Sequence, residues 1–168
     1  MIEISPCSLI IAQAKRLAAR YEQNTGNINT LLTDTKTSQI NGFLAELAVA
    51  SYFKTIGLSS VFDYDLITED GNTVEVKTTS CNSKPLPNYV ATIMEYQNPK
   101  ADILIFCRAL NDHSKVWICA YTTKSYFYAN APIKKPGHKS GTQTYEYARR
   151  ELEYQQMIQF RQPTKGDN

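Results

Sequence analysis

Residues 61 to 79 read Val-Phe-Asp-Tyr-Asp-Leu-Ile-Thr-Glu-Asp-Gly-Asn-Thr-Val-Glu-Val-Lys-Thr-Thr, two alternating runs on either side of Asp70-Gly71-Asn72. Strand side chains point alternately to opposite faces, so pairing register decides which residues meet. A two-residue turn on Asp70-Gly71 would place Asp65 opposite Val76 and mix charged with apolar groups on both faces. A three-residue loop, Asp70-Gly71-Asn72, with Asn72 in the left-handed conformation, sets Asp65 opposite Lys77 and Leu66 opposite Val76. Phe62, Tyr64, Leu66, Val74 and Val76 then share one face, while Asp63, Asp65, Glu75, Lys77 and Thr79 share the other. A one-residue slip would expose the whole apolar set, so burial selects the second arrangement.

Around this hairpin the rest of the chain sorts into elements. Ser8 caps a helix over residues 8 to about 21, with Leu9, Ala12, Leu17 and Tyr21 near helical spacing and Lys15, Arg16 and Arg20 on its wet side. After a polar loop over 24 to 37, a second helix runs from about 38 to 56 and stops at Gly57. Its apolar positions are Ile40, Phe43, Leu44, Leu47, Phe53 and Ile56. Strands are expected over 61 to 68, 73 to 79, 89 to 94, 103 to 109 and 116 to 121, separated by Gly, Pro and Asn-Asp turn signals. A Pro- and Gly-containing loop over 129 to 143, a short closing helix over 145 to 157 and a frayed tail complete the chain. Helices followed by a strand cluster predict a mixed α/β (α+β) domain with a central mixed sheet of four or five strands flanked by helices.

The chain has 168 residues, of which 42% are hydrophobic, and a formal charge of +2. That length suits one domain, with its core over about 38 to 128. No apolar run approaches the roughly 18 residues that span a bilayer, and no leader pattern opens the chain, so the expectation is a soluble, cytoplasmic protein without membrane contact. Cys7, Cys81, Cys107 and Cys119 form no CxxC pair, which argues for free thiols in apolar surroundings rather than a zinc site or disulfides. No Ser/His/Asp order, phosphate-binding loop or dinucleotide glycine pattern is present. His113, in a turn, and His138, in the loop, lack ligand spacing.

Two acids on one face repel each other unless a cation lies between them, and carboxylate oxygens suit Mg²⁺ or Mn²⁺. A neighbouring lysine can orient a water or stabilise charge developing on a phosphate. Glu46 adds a third acid. Its three- and four-residue neighbours are Gly42, Phe43, Val49 and Ala50, so it has no partner on its own helix, and the small residues Gly42, Ala45 and Ala50 let that helix approach the sheet. Glu-x-Lys alone usually marks a solvated ion pair. Its combination with Asp65 and Glu46 carries the reading.

Asp65 followed by Glu75-Val76-Lys77, with Ala45-Glu46-Leu47-Ala48 on the preceding helix, resembles the PD-(D/E)XK nuclease superfamily, which has the restriction-endonuclease-like fold. The likeness covers residues 40 to 121, including the strands Ala-Asp-Ile-Leu-Ile-Phe (101 to 106) and Val-Trp-Ile-Cys-Ala (116 to 120), and extends to small Holliday-junction-resolvase-like and intron-homing-endonuclease-like members. Tyr64 departs from the pattern where the family name has proline, and Asp63 shares the parity of Asp65. The resemblance implies a Mg²⁺-dependent deoxyribonuclease, most simply an endonuclease, with Asp65, Glu75, the Val76 carbonyl and Glu46 on the metal and Lys77 assisting the water. A homodimer or higher oligomer is expected where two strands must be cut. The alternative is a noncatalytic nucleic-acid-binding or assembly module on the same fold.

For DNA, the expected backbone contacts are Lys84 beside Pro85, then Lys134, Lys135, His138 and Lys139 in the late loop, and Arg149 and Arg150 on the last helix. A solvated loop explains the late basic residues equally well. The aromatic group Tyr121, Tyr126, Phe127, Tyr128, Tyr145, Tyr147 and Tyr154 is assigned to core packing ahead of base stacking.

Overall fold

The computed structural model describes residues 1–25, 35–54, 56–58, 64–137, 139–140, 143–144 and 147–158. In chain order the elements are β1 (Ile2–Ile4), α1 (Ser8–Thr25), α2 (Thr35–Phe53), β2 (Ile56–Leu58), β3 (Leu66–Ile67), β4 (Thr73–Cys81), β5 (Val90–Met94), β6 (Ile103–Leu110) and β7 (Val116–Thr123). They continue with α3 (Lys124–Asn130), β8 (Ile133–Lys134), β9 (Lys139–Ser140), β10 (Gln143–Thr144), β11 (Arg149–Glu153) and a 3₁₀ turn at Tyr154–Gln156.

A six-stranded mixed sheet ordered β1-β7-β6-β4-β3-β2 forms the centre, with β4 and β6 parallel and the other neighbours antiparallel. The expected mixed α/β architecture with a central mixed sheet is what the chain adopts. Parallel pairing is set at the strand starts. The Asp102 carboxylate accepts the Thr73 N–H at 3.0 Å and the Thr73 hydroxyl at 2.6 Å, while the Asp102 N–H donates to the Thr73 carbonyl at 3.1 Å.

The sheet is covered on both faces, so its middle strands are buried on both sides. On one face α1 and α2 supply Ala14, Ala18, Ile40, Leu44, Ala45, Ala48 and Val49 against Leu66, Val74, Val76, Ile105, Cys107 and Ile118. On the other, Leu104, Phe106, Trp117 and Cys119 meet Ala91, Ile93, Phe127, Leu152 and Tyr154. These last residues come from α3, the 3₁₀ turn and a second, three-stranded sheet ordered β5-β11-β8.

Several sequence expectations are corrected. The register of the β3–β4 hairpin is shifted by two residues, with Leu66 opposite Val74 and Ile67 opposite Thr73. Gly71, not Asn72, takes the left-handed position at φ 82°. The Gly71 N–H donates to the Thr68 carbonyl at 2.9 Å and the Thr68 N–H to the Asn72 carbonyl at 2.9 Å. The loop is therefore Glu69-Asp70-Gly71, a tight turn followed by a left-handed residue that matches strand twist. A shift of two leaves the described side chains on their predicted faces, which a shift of one would not.

Helix α2 begins at Thr35 and ends at Phe53, with Lys54 at φ 51° turning the chain, and Gly57 lies within β2 instead of ending the helix. Along α1 the buried stripe runs through the small residues Ala14 and Ala18, which let the two helices approach, while Leu9 and Tyr21 stay exposed. The loop expected over 129 to 143 contains the short strands β8 and β9 and the start of β10. In place of a closing helix the chain forms β11, pairing Glu151 with Thr92 of β5 and Arg150 with Ile133 of β8. Its local helix preference is small beside this pairing and the burial of Leu152 and Tyr154. Phe62, Asp63, Tyr145, His138 and the C-terminal tail lie outside the described residues. The thiols are free, with Cys107 and Cys119 buried, Cys81 half-buried and Cys7 exposed. Among the described residues, no helix is long and apolar enough to cross a membrane.

One polar group is built into the helix–sheet layer. Asn41 of α2 is fully buried, donates to the Ser80 hydroxyl at 2.9 Å and accepts from His113 Nδ1 at 2.8 Å through its carbonyl oxygen. It ties the helix to the end of β4 and to the β6–β7 turn, where His113 sits at φ 64°. Replacing Asn41 with alanine removes both hydrogen bonds from the helix–sheet layer, at a cost of about 1–3 kcal/mol. Urea unfolding of Asn41→Ala should show a lower midpoint with an unchanged slope; an unaltered midpoint would refute the role.

Candidate active site

Strand alternation turns Val74 and Val76 into the helix-side core and leaves Glu75 and Lys77 half-buried on the opposite face. Being two apart on one strand face, they are neighbours, and Lys77 Nζ lies 2.5 Å from Glu75 Oε1. The β3–β4 ladder covers only Thr73 and Val74 of β4. Immediately beyond it the Asp65 N–H donates to the Val74 carbonyl at 2.9 Å, and Asp65 Oδ2 accepts the Val76 N–H at 2.7 Å. A side chain thus takes the place of a strand carbonyl, which brings the Asp65 carboxylate to the sheet edge between Glu75 and Lys77. The N–H and carbonyl of a strand residue leave on the same side, so the Val76 carbonyl shares this edge.

Glu46 approaches from the helical layer. Its neighbours Ala45 and Ala48 are buried against the sheet, so α2 lies close enough for Glu46 to feel the charges of Asp65, Glu75 and Lys77. Burial first, then repulsion from Asp65 and Glu75, pushes the Glu46 carboxyl up to about 8, partly offset by Lys77. Burial and then Glu75 raise Asp65 to about 6, with the Val76 N–H and the Lys77 charge pulling the other way. The site gathers more negative charge than its one lysine balances.

Among the described residues, no three His, Cys, Asp or Glu side chains converge closely enough to hold a metal ion in their present rotamers. In these rotamers Asp65 is bonded to the Val76 main chain and Glu75 to Lys77. The donor set nevertheless fits a hard divalent cation, because it consists of carboxylate oxygens and a strand-edge carbonyl whose surplus charge such an ion would neutralise. Turning Glu75 away from Lys77 is the rearrangement that fit requires.

The predicted phosphate contacts fare differently. Lys84 is exposed and lines a pocket with Met1, Glu3 and Trp117. Lys134 is half-buried on β8 and Lys135 is exposed beside it. His138 and the Lys139 side chain lie outside the described residues. Arg149 and Arg150 sit on a strand, not a helix. Arg149 is fully buried, with Nε 2.7 Å from Glu151, and so offers no surface to a phosphate. Arg150 is held by Glu95 at 2.6 Å and by the carbonyls of Tyr128 and Ala131. Of the aromatic group, Phe127 and Tyr154 are core residues, whereas Tyr126 and Tyr147 are exposed. Arg108 is not among the residues expected from the sequence. Its alternation with Leu104 and Phe106 places it on the Glu75–Lys77 face, and that pattern was available as a signal.

No protein-family model matches the chain, and no curated protein matches its sequence.

The raised Glu46 carboxyl has a consequence for folding. Its pKa in the folded chain lies above the unfolded value of 4.5, so the folded state binds the extra proton between 4.5 and about 8. Its stabilising contribution is complete below pH 4.5 and is lost as pH rises through about 8. Each unit of such a rise corresponds to about 1.4 kcal/mol. In EDTA, Glu46→Gln should therefore unfold at higher temperature than the parent chain at pH 8.5, with the advantage shrinking at pH 5. Equal melting curves at both pH values would contradict this electrostatic picture.

Proposed function

We propose that this chain is a metal-dependent nuclease hydrolysing DNA phosphodiester bonds, with Asp65, Glu75, Lys77 and Glu46 as its machinery. One observation carries the reading: the 2.7 Å bond from the Val76 N–H to Asp65, which joins the aspartate to the Glu75-Val76-Lys77 triplet at a sheet edge. Support also comes from the order of elements, a glutamate helix, the aspartate hairpin, the Glu-x-Lys strand and two further strands in one mixed sheet. This is the arrangement expected from the resemblance to PD-(D/E)XK nucleases and their restriction-endonuclease-like fold.

Asp65 and Glu75, with the Val76 carbonyl and Glu46, would hold Mg²⁺ or Mn²⁺, which when bound supplies Lewis acidity toward a phosphoryl oxygen. Lys77, released by Glu75, presents its ammonium to the attacking water or to a phosphoryl oxygen, where it stabilises developing negative charge. The buried valines of β4 keep these groups at fixed spacing, which limits the reorganisation required when the substrate arrives. In-line attack by water forms the new P–O bond as the P–O3′ bond breaks; the water's proton passes to solvent, and the departing 3′ oxygen takes one up from solvent. By the resemblance, the product carries a 5′-phosphate.

A binding module without catalysis is the second reading, and one observation favours it: the Lys77–Glu75 pair occupies a carboxylate that a metal would need. Branched, duplex and single-stranded DNA incubated with the full chain and Mg²⁺ or Mn²⁺ separate the two. Scission should appear with metal, vanish in EDTA, and fall at least about 100-fold in Lys77→Ala and in Asp65→Asn. Cleavage that survives EDTA, or that Lys77→Ala leaves intact, sinks the mechanism; binding without scission on every substrate selects the module.

A further inference from the structure

Beside the acidic site, on the same sheet face, stands an arginine whose surroundings are unlike those of a surface charge. In the parallel β4–β6 ladder Lys77 pairs with Phe106 and Thr79 with Arg108. Two residues along a strand cover about 6.6 Å and neighbouring strands lie about 4.8 Å apart, so the Arg108 backbone is roughly 8 Å from that of Lys77. Glu75, Lys77, Thr79 and Arg108 form one continuous polar track, with Thr79 exposed.

The Arg108 guanidinium is held between two rings. Its central carbon lies 4.6 Å from the Tyr89 ring centroid and 5.8 Å from that of Tyr154, and its Nε donates to the Tyr154 hydroxyl at 3.1 Å. The rings are themselves fixed to each other, since the Tyr154 N–H donates to the Tyr89 carbonyl at 2.9 Å and Tyr154 is buried. Among the described residues no carboxylate pairs with Arg108, in contrast to Arg149 and Arg150, which each have a glutamate. A half-buried guanidinium fixed by two rings, with no hydrogen bond from its terminal amino groups among the described residues, is suited to bind a phosphate through paired N–H donors.

Resting on the nuclease reading above, we infer that Arg108 is a substrate-positioning residue that grips a backbone phosphate next to the scissile one. The DNA strand then runs along β4 from Glu75 toward Thr79. The roughly 8 Å offset is on the scale of the separation between successive phosphates, so one strand can reach Lys77 and Arg108 together. Tyr89 and Tyr154 keep the fork aimed, which reduces the side-chain entropy lost on binding.

The test is equilibrium binding of a fluorescently labelled DNA duplex and its single strands to the full chain, without divalent cation, from about 50 to 200 mM salt. Arg108→Gln should weaken binding roughly tenfold and flatten the dependence of log K on log salt by about one counter-ion. Arg108→Lys retains the charge but loses the fork, so it should keep the parental salt slope and bind more weakly by a few-fold. With Mg²⁺, the KM of Arg108→Gln should rise by more than kcat falls. A salt slope that Arg108→Gln leaves unchanged overturns the inference, including when affinity drops only in step with lost thermal stability, and so does a parental chain that binds no DNA. The nuclease reading is judged apart, on parental scission. A chain that cuts with an Arg108-independent slope refutes the contact alone, and one that binds through Arg108 without cutting refutes the chemistry alone.

Discussion

Val74 and Val76 are buried against the helical layer, and the rest of the site follows from that burial. Neighbouring residues on a strand face opposite ways, so fixing the valines inward turns Glu75, Lys77 and Thr79 together onto the other face. The parallel partner β6 extends the same alternation one strand further, to Arg108. A chain that buried the charged set instead would have to desolvate two acids and a lysine without enough partners, which costs far more than burying valine gains.

The site lies where regular pairing stops. Across most of β4 the main chain is satisfied by β6, and at its start by β3, but at Val76 the N–H is satisfied by a side chain. Ending the ladder at this point opens a notch in the sheet edge, and closing it with a carboxylate draws Asp65 to the triplet. Glu46 reaches the same edge from the opposite layer, which explains why its carboxyl is raised although it shares no strand with the others. The second sheet and the 3₁₀ turn after it cover β6 and β7 on the Glu75 face through Leu152 and Tyr154, and Tyr154 and Tyr89 supply the rings around Arg108.

Local pattern was a good guide in α2 and the central strands, though not for the buried stripe of α1. The α2 helix, the strands β4, β6 and β7, and the separation of Leu66, Val74 and Val76 from Glu75 and Lys77 could all be read from periodicity. It was a poor guide where two competing choices had the same local merit. Gly71 and Asn72 both tolerate the left-handed turn, so the register came out two residues off while the described residues kept their expected faces. Residues 149 to 153, rich in Arg, Glu and Leu, favour helix locally, yet β5 and β8 draw them into a strand.

The amino-acid sequence by itself determined which residues share a face with Asp65, because that depends only on alternation and on the cost of exposing valine and leucine. The tertiary structure decided the rest of the site: that Asp65 spends an oxygen on the Val76 main chain, that Glu46 arrives from another layer, and that Arg149 is buried while Arg108 is held between two tyrosines. These features depend on contacts between residues far apart in the chain, and a strand's own period carries no information about what will be packed across from it.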